Sequence, residues 1–170
     1  VALASCRQGF TISALGVTPA QAIASLGRFA GIKRRLELRG TVRGVSVYDD
    51  FAHHPTAITL TVGGLRRREP QGRILAVLEP RSNTMKLGVM KAQLPASLAE
   101  ADLVFCHAHG LGWDAAAALA PLGARARSYD RLDALVADVV ATARPGDHVL
   151  VMSNGGFGGV HQKLLDALGA

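Results

Sequence analysis

The stretch DHVLVMSNGGFGGVHQKLLDAL, residues 147–168, contains the pattern that decides the fold of this 170-residue chain. Its first seven residues, DHVLVMS, contain the continuous apolar run VLVM, as expected of a strand covered on both faces. A glycine loop, NGGFGG, follows the run, and VHQKLLDAL then has the composition of a helix. The stretch therefore predicts a buried strand, a tight turn and a closing helix.

The same alternation of strand and helix extends back over the preceding seventy or so residues. Buried strands are predicted at RILAVLEP (73–80) and DLVFCHA (102–108), and a weaker edge strand at ARARSY (124–129). A helical stretch is predicted at LPASLAEA (94–101). The clearest helix is DRLDALVADVVATA (130–143), with Asp130 as its candidate cap. Strands that alternate with helices predict an α/β fold, a Rossmann-like, mostly parallel sheet with helices on both faces.

The N-terminal part has a different pattern. RLELRGTVRGVSVYDD (35–50) alternates apolar and polar residues on both sides of Gly40–Gly44, which predicts an N-terminal β-hairpin. A helix is expected to begin at Pro55 and to bury Ile58, Val62 and Leu65. GVTPAQAIASLGRFAGIKRR (16–35) predicts an earlier helix, capped by Thr18 and ended by Gly31. We expect residues 1–30 to be the tail of a preceding domain, a linker or added sequence, and residues 31–170 to form one domain.

The amino-acid composition of the chain limits the classes of ligand that it is expected to bind. The chain is 49% hydrophobic and 19% charged, which is typical of a globular protein, and its net charge of +6 favours anionic ligands. Nucleic acid is not expected, because the basic clusters 33–35 and 66–68 have no aromatic residues between them. The simpler explanation of both clusters is that they are solvent-exposed surface residues. The more specific alternative is that they bind an anionic metabolite. No apolar run reaches the ~20 residues of a membrane span, and two distant cysteines indicate a reducing cytoplasm.

Polar and glycine residues are concentrated where the predicted strands end. They form four stretches, 49–54, 79–86, 107–113 and 153–159. Ligands of parallel α/β sheets bind beyond the carboxyl ends of the strands, so these stretches are the candidate site. Arg81 could grip a carboxylate with its planar fork, although a capped turn explains Ser82 and Thr84 equally well. The 153–159 loop is either an anion cradle or only a tight turn.

A metal site is a weaker alternative. The neighbouring His53 and His54 point in different directions on a strand or a helix, so they are poorly placed to share one ion. His107 and His109 are better placed, but no third ligand has a suitable spacing. We predict structural or loop histidines and no bound metal. The sequence also lacks the G-x-x-x-x-G-K-[ST] phosphate loop.

Four separated motifs carry a family resemblance. They are FAGIKRR (29–35), DDFAHHP (49–55), LEPRSNTMKLG (78–88) and VMSNGGFGGVH (151–161). Together they resemble the C-terminal domain of the Mur ligases, over roughly residues 16–168. Related ligases have D-D-Y-x-H-H-P in the second motif. Phe51 and the E-P-R-S-N-T run therefore resemble the peptide-recycling branch of the family.

The resemblance implies an enzyme of three domains in which ATP and Mg²⁺ activate a muramyl carboxylate as an acyl phosphate, which an amine then attacks. The implied reaction joins the tripeptide L-Ala-γ-D-Glu-meso-diaminopimelate to UDP-N-acetylmuramate, and the alternative is the addition of L-alanine. The third domain would contact ATP and the incoming peptide. ATP and Mg²⁺ would be held mainly by a central domain, so we expect this chain to be inactive alone.

The resemblance also assigns residues. It implies ATP contacts for Asp50, Arg34 and His53, within a basic 33–35 motif at the hinge into the third domain. It implies substrate contacts for His54, Arg81, Ser82, Asn83, Lys86, Ser153, Asn154 and Phe157. It implies no catalytic residue and no metal ligand in this chain. Two rival hypotheses remain: a stand-alone Rossmann oxidoreductase, whose fingerprint and ribose-binding acid are not visible, and a non-catalytic module that binds nucleotides or peptides.

Overall fold

The computed structural model describes residues 16–28 and 32–170, which belong to two compact units divided between Ile32 and Lys33. The first unit contains helix α1, Pro19–Gly27. Thr18 caps this helix as predicted: Gln21 N donates to Thr18 Oγ1 at 3.3 Å, and Thr18 N donates to Gln21 Oε1 at 2.9 Å. The helix ends at Gly27, and Gly31 lies outside the described residues. The predicted division at residue 30 remains a prediction.

The second unit is built on a six-stranded sheet. Its strands are β1 (Glu37–Val42), β2 (Val45–Asp50), β3 (Ile74–Leu78), β4 (Leu103–His107), β5 (Ala126–Tyr129) and β6 (His148–Met152). The spatial order is β1-β2-β6-β3-β4-β5, with β1 and β2 antiparallel and every other pair parallel. The predicted fold class is confirmed, including the N-terminal hairpin and the edge position of β5.

Helices cover both faces of the sheet. They are α2 (Pro55–Arg68), α3 (Asn83–Lys86), α4 (Leu94–Ser97), α5 (Ala115–Leu119), α6 (Leu132–Thr142) and α7 (Val160–Gly169). In β3, Ala76 and Leu78 face the core that contains α2, α4 and α5, while Leu75 and Val77 face the core that contains α6 and α7. A strand between two cores needs apolar residues at every position, which explains the continuous apolar run. The helix predicted over 94–101 is shorter than expected.

Two local predictions need correction. The hairpin turn does not extend over 40–44: only Arg43 and Gly44 form it, with φ of 49° and 77°, because a two-residue turn with both residues left-handed matches the twist of the strands. Asp130 does not cap α6. The N-cap is Arg131, in extended conformation, so Asp130 lies one residue too early to reach the free N–H groups of the first turn.

The C-terminal end of α2 has a structural role. Arg66 donates to the carbonyl oxygens of Gly72 at 2.9 Å and Glu100 at 3.2 Å, and it pairs with Asp102 at 2.5 Å. Asp102 also accepts a hydrogen bond from the N–H of Ile74 at 2.7 Å, which connects the pair to the start of β3. The guanidinium of Arg66 is therefore held by contacts within the protein. Neither of the two explanations given above for the 66–68 cluster, solvent exposure or anion binding, applies to Arg66. None of the helices within the described ranges is both long and apolar enough to cross a lipid bilayer.

Candidate functional site

The carboxyl ends of β2, β6, β3 and β4 meet along one edge of the sheet, as the parallel arrangement requires. Backbone hydrogen bonds continue beyond the strands: Ser153 N donates to Asp50 O at 3.2 Å, and Glu79 N donates to Met152 O at 3.1 Å. These bonds bring together the 49–54, 153–159 and 79–86 stretches. The prediction that these polar stretches lie together at the carboxyl ends of the parallel strands is therefore confirmed.

Arg34 links the start of the second unit to the glycine loop. Its Nη2 donates to the carbonyl oxygens of Ser153 and Gly155, the latter at 3.0 Å, and its Nε lies 3.4 Å from the Asp49 carboxylate. The guanidinium also lies 5.0 Å from the centroid of the Phe51 ring. Backbone φ is +57° at Arg34 and +46° at Leu36, which is a strained conformation that the surrounding contacts must stabilise.

Asp49 is the buried centre of a charged cluster. Only 3% of the residue is exposed, and its carboxylate lies near Arg34, Arg39 and His161, with His161 Nε2 at 3.2 Å. Burial lowers the pKa of His161, the Asp49 charge opposes that shift, and the two arginines reinforce it. His161 was not among the site residues predicted from the sequence. The available signal was its position in the first turn of the closing helix, directly after the glycine loop.

Asp50 has three hydrogen bonds of its own. Its Oδ2 accepts from Leu36 N at 2.8 Å, and its Oδ1 accepts from Ala52 N at 2.8 Å and from Thr61 Oγ1 at 3.2 Å. The carboxylate therefore ties β2 to α2 and to the segment before β1. The N-cap of α2 is His54, without a side-chain bond, so Asp50 is not the cap of this helix.

A cleft of about 230 Å³ opens beside Asp50. Its lining residues are Arg35, Asp50, Phe51, Ala52, His53, Ala57, Leu60 and Thr61. The lining combines apolar and aromatic side chains with a few polar ones, as in many small-molecule sites. Two of the three residues predicted to contact ATP line this cleft. The third, Arg34, faces the glycine loop, and its neighbour Arg35 lines the cleft instead.

The two adjacent histidines have different surroundings. His53 Nδ1 lies 2.9 Å from Phe51 O, and its ring meets the Phe51 ring edge-on at 5.4 Å. His54 Nδ1 is buried without a hydrogen-bond partner among the described residues, and burial, assisted by the neighbouring His53, lowers the pKa of His54. Both effects favour the neutral form of the His54 imidazole.

The loop after β3 carries the exposed polar side chains of the site. Arg81, Asn83 and Lys86 are exposed, whereas Ser82 caps α3 by accepting from Met85 N at 3.3 Å. Lys86 and Arg81 belong to no ion pair within the described ranges. The loop therefore presents two cations to solvent at the end of a central strand.

The glycine loop is held from inside. Ser153 is 1% exposed; its Oγ donates to Glu79 Oε2 at 2.6 Å and accepts from Gly155 N at 3.0 Å. Phe157, also 1% exposed, packs into the core beside α6 and α7. This burial does not support the expected direct substrate contact of the Phe157 side chain. Asn154 Oδ1 is buried and has no hydrogen-bond partner among the described residues.

His107 and His109 lie together at the end of β4, with ring centroids 6.0 Å apart. Burial lowers the pKa of His107, against the opposing effect of Glu79. Among residues 16–28 and 32–170, no group of three or more His, Cys, Asp or Glu side chains is arranged to hold a metal ion.

Residues 34–155 match the family model described as Mur ligase, glutamate ligase domain. The chain is 55% identical over 157 residues to a UDP-N-acetylmuramate–L-alanyl-γ-D-glutamyl-meso-2,6-diaminoheptandioate ligase of Escherichia coli K12, which covers 91% of this chain and 34% of that protein. The chain thus spans about a third of the length of this relative.

Two solved structures are similar. One is a domain of a protein from Haemophilus ducreyi 35000HP with the same ligase description, with 49% identity, a TM-score of 0.67, and coverage of 79% of this chain and 99% of that one. The other is a murein peptide ligase from Psychrobacter arcticus 273-4, with 41% identity, a TM-score of 0.74, and coverage of 88% and 32%. With its six-stranded sheet and the family match over most of its length, the chain belongs to the Mur ligase family and contains the family's C-terminal domain.

Proposed function

We propose that this chain is the third domain of an ATP-dependent ligase that joins L-Ala-γ-D-Glu-meso-diaminopimelate to UDP-N-acetylmuramate in the cytoplasm. The observation that carries the proposal is the loop after β3, where the exposed side chains of Arg81, Asn83 and Lys86 stand at the ligand-binding edge of the sheet. The tripeptide carries several carboxylates, and two exposed cations that form no ion pair with any described acid complement that charge.

The proposed role of this domain is to bind and orient the incoming amine. ATP would supply the activation of the muramyl carboxylate, and the attacking amine must then be held close to it in the correct direction. A bidentate Arg81 contact to one carboxylate, with Asn83 and Lys86 beside it, would fix the peptide at a distance from its reacting end. Asn154 Oδ1, which has no hydrogen-bond partner in the described part of the chain, offers an acceptor to a ligand N–H or O–H group.

We propose that the cleft beside Asp50 binds the adenosine part of ATP. Phe51, Ala57 and Leu60 would supply an apolar surface for a purine base, and His53 and Arg35 would supply polar contacts. The chain has no phosphate loop of its own, and its described residues hold no group suited to Mg²⁺. We therefore propose that the phosphates and the metal ion are bound by the remainder of the full-length protein.

Phosphate release by the full-length protein tests the proposal. We expect release that requires ATP, UDP-N-acetylmuramate and tripeptide together, and no release from this chain alone. A preference for L-alanine over tripeptide would instead support the alanine-adding alternative. Binding of nucleotide or peptide without any release by the full-length protein would support a non-catalytic module and would contradict the proposal.

A further inference from the structure

The single tryptophan of the chain joins two of the loops at the ligand-binding edge. Trp113, in the loop after β4, donates its indole Nε1–H to the carbonyl oxygen of Met85 at 2.7 Å. Its neighbour Gly112 donates its N–H to the carbonyl oxygen of Lys86 at 3.1 Å. Two consecutive residues of one loop thus hold two consecutive carbonyl groups of the other.

The loop after β3 has little support of its own. Helix α3 has only four residues, too few to be stable without outside contacts. Met85 is its buried anchor at 1% exposure, whereas Leu87 and Val89, which follow it, are 78% and 70% exposed. The conformation of this loop must therefore be stabilised from outside, and the contacts of the 112–113 pair lie at the end of α3.

The contact between the indole and the loop is close. Gly88 has a φ of +74°, and a Cβ at this position would lie 2.9 Å from Trp113 Cδ1. Only glycine is compatible with both that backbone conformation and that approach. The loop therefore passes directly against the indole ring.

Trp113 is itself well supported. The half-buried ring packs against the core that contains α2, α4 and α5. The next residue, Asp114, caps α5 by accepting from Ala117 N at 3.0 Å. Leu111 N donates to Ala108 O at 3.1 Å within the same loop. The indole is thus a fixed point against which the weaker loop is held.

We propose that Trp113 is a positioning residue for the incoming peptide: it holds the backbone at 85–88 so that Asn83 and Lys86 present their side chains in the binding geometry. This inference rests on the proposed function, which places the peptide at this loop. Trp113 does not itself contact the substrate. Its effect comes through Met85 and Gly88, so the loss of its N–H should weaken peptide binding selectively.

The test is the Trp113→Phe variant of the full-length ligase. Phenylalanine keeps an aromatic ring near Gly88 but removes the donor to Met85 O. We expect the KM for tripeptide to rise about fivefold to tenfold, the size expected from one lost buried hydrogen bond. We expect the KM values for ATP and UDP-N-acetylmuramate to stay within about twofold, since no residue of the loop after β3 is among those lining the cleft beside Asp50.

A matched control is Tyr129→Phe, which also removes one side-chain donor, to Asp138, on the edge strand β5. It should alter the melting temperature and leave all three KM values unchanged. Gly88→Ala is a second test of the same contact. Like Trp113→Phe, it should raise the KM for tripeptide. The Trp113→Phe, Gly88→Ala double variant should show less than the sum of the two effects, because both act on one contact.

The outcomes separate the two proposals. An active wild-type ligase with equal tripeptide KM in Trp113→Phe, or with all three KM values raised equally, would overturn the positioning role alone. No tripeptide-dependent phosphate release from the wild-type protein would overturn the proposed function, and this inference with it.

Discussion

The guanidinium of Arg81 lies against the backbone of Gly155, so closely that a Cβ at position 155 would be 2.7 Å from Nη1 and 2.8 Å from Cδ. Gly155 follows β6 and Arg81 follows the neighbouring β3. Because Gly155 has no side chain, the Arg81 side chain has room to lie against its backbone. The glycine loop supports the arginine that we propose to bind the peptide.

Gly155→Ala should displace Arg81 and weaken peptide binding. Arg81 is long enough to move aside, so we expect little loss of folding stability but a rise of about tenfold in the tripeptide KM, from a partly lost charge-assisted contact. Gly156→Ala is the matched control, since a Cβ there meets nothing within 4 Å. Equal tripeptide KM values in the two variants would contradict a role for the Gly155 contact.

Arg81→Lys should already damage the reaction. Lysine keeps the charge but lacks the planar fork, and the loss of such a contact in a closed site is worth roughly 2–5 kcal/mol, or about thirtyfold or more in kcat/KM for tripeptide. The melting temperature should change little. Arg131→Lys, at an arginine whose side chain is 81% exposed, is the control.

A rival hypothesis is that Arg81 pairs with Glu79 or Asp102 and only shapes the loop, but both acids are engaged elsewhere. Asp102 pairs with Arg66, and Glu79 accepts from Ser153. If Arg81→Lys lowered the melting temperature while the tripeptide kinetics of the full-length enzyme stayed at the wild-type level, the peptide contact would be the wrong assignment.

Asp50→Asn should destabilise the fold. An amide can replace only part of a carboxylate that accepts from two backbone N–H groups and a hydroxyl, so one donor is left unsatisfied, at a cost of about 1–3 kcal/mol. Denaturant unfolding of this chain measures the cost. Asp130→Asn is the control, because Asp130 is exposed and does not cap α6.

The proposed contact of Asp50 with ATP is a second role, and the kinetics of the full-length enzyme test it separately. If the carboxylate also contacts the ATP ribose, Asp50→Asn in the full-length enzyme should raise the KM for ATP more than that for tripeptide. A stability loss with an unchanged ATP KM would restrict Asp50 to its structural role.

Asp147 should make stability depend on pH. Its burial would raise its pKa, but hydrogen bonds from Arg73, at 2.6 and 3.0 Å, and from Arg144 N, at 2.8 Å, outweigh burial and lower it. A lowered pKa means that the contribution to stability is complete above the unfolded value of about 3.9 and is lost as the pH falls through the lower folded value.

Asp147→Asn should therefore cost about 2 kcal/mol of unfolding free energy at pH 7, and the difference from wild type should shrink below about pH 4. Urea unfolding of both proteins over this pH range measures it, with Asp130→Asn as the exposed control. A difference that stayed constant down to pH 2 would show that the charge of Asp147 is not what stabilises the fold.

The sequence by itself determined the layers of the fold and the end of the sheet that carries the candidate site. The continuous apolar runs at β3, β4 and β6 require burial on two faces, and parallel strands bring their carboxyl ends to one edge. The positions of Arg81, Asn83 and Lys86 at that edge follow from these local patterns. The hairpin and the start of α2 at Pro55 follow in the same way.

Only the tertiary structure decided the partners of the individual side chains. Arg34 and Ser153 are 119 positions apart, and they meet because β6 lies beside β2, an order that periodicity does not encode. Arg34 faces the glycine loop while Arg35 lines the cleft, and Phe157 is core rather than surface. Hydrophobic periodicity records which face of an element avoids water, whereas hydrogen bonds and close contacts depend on distances between segments that are remote in sequence.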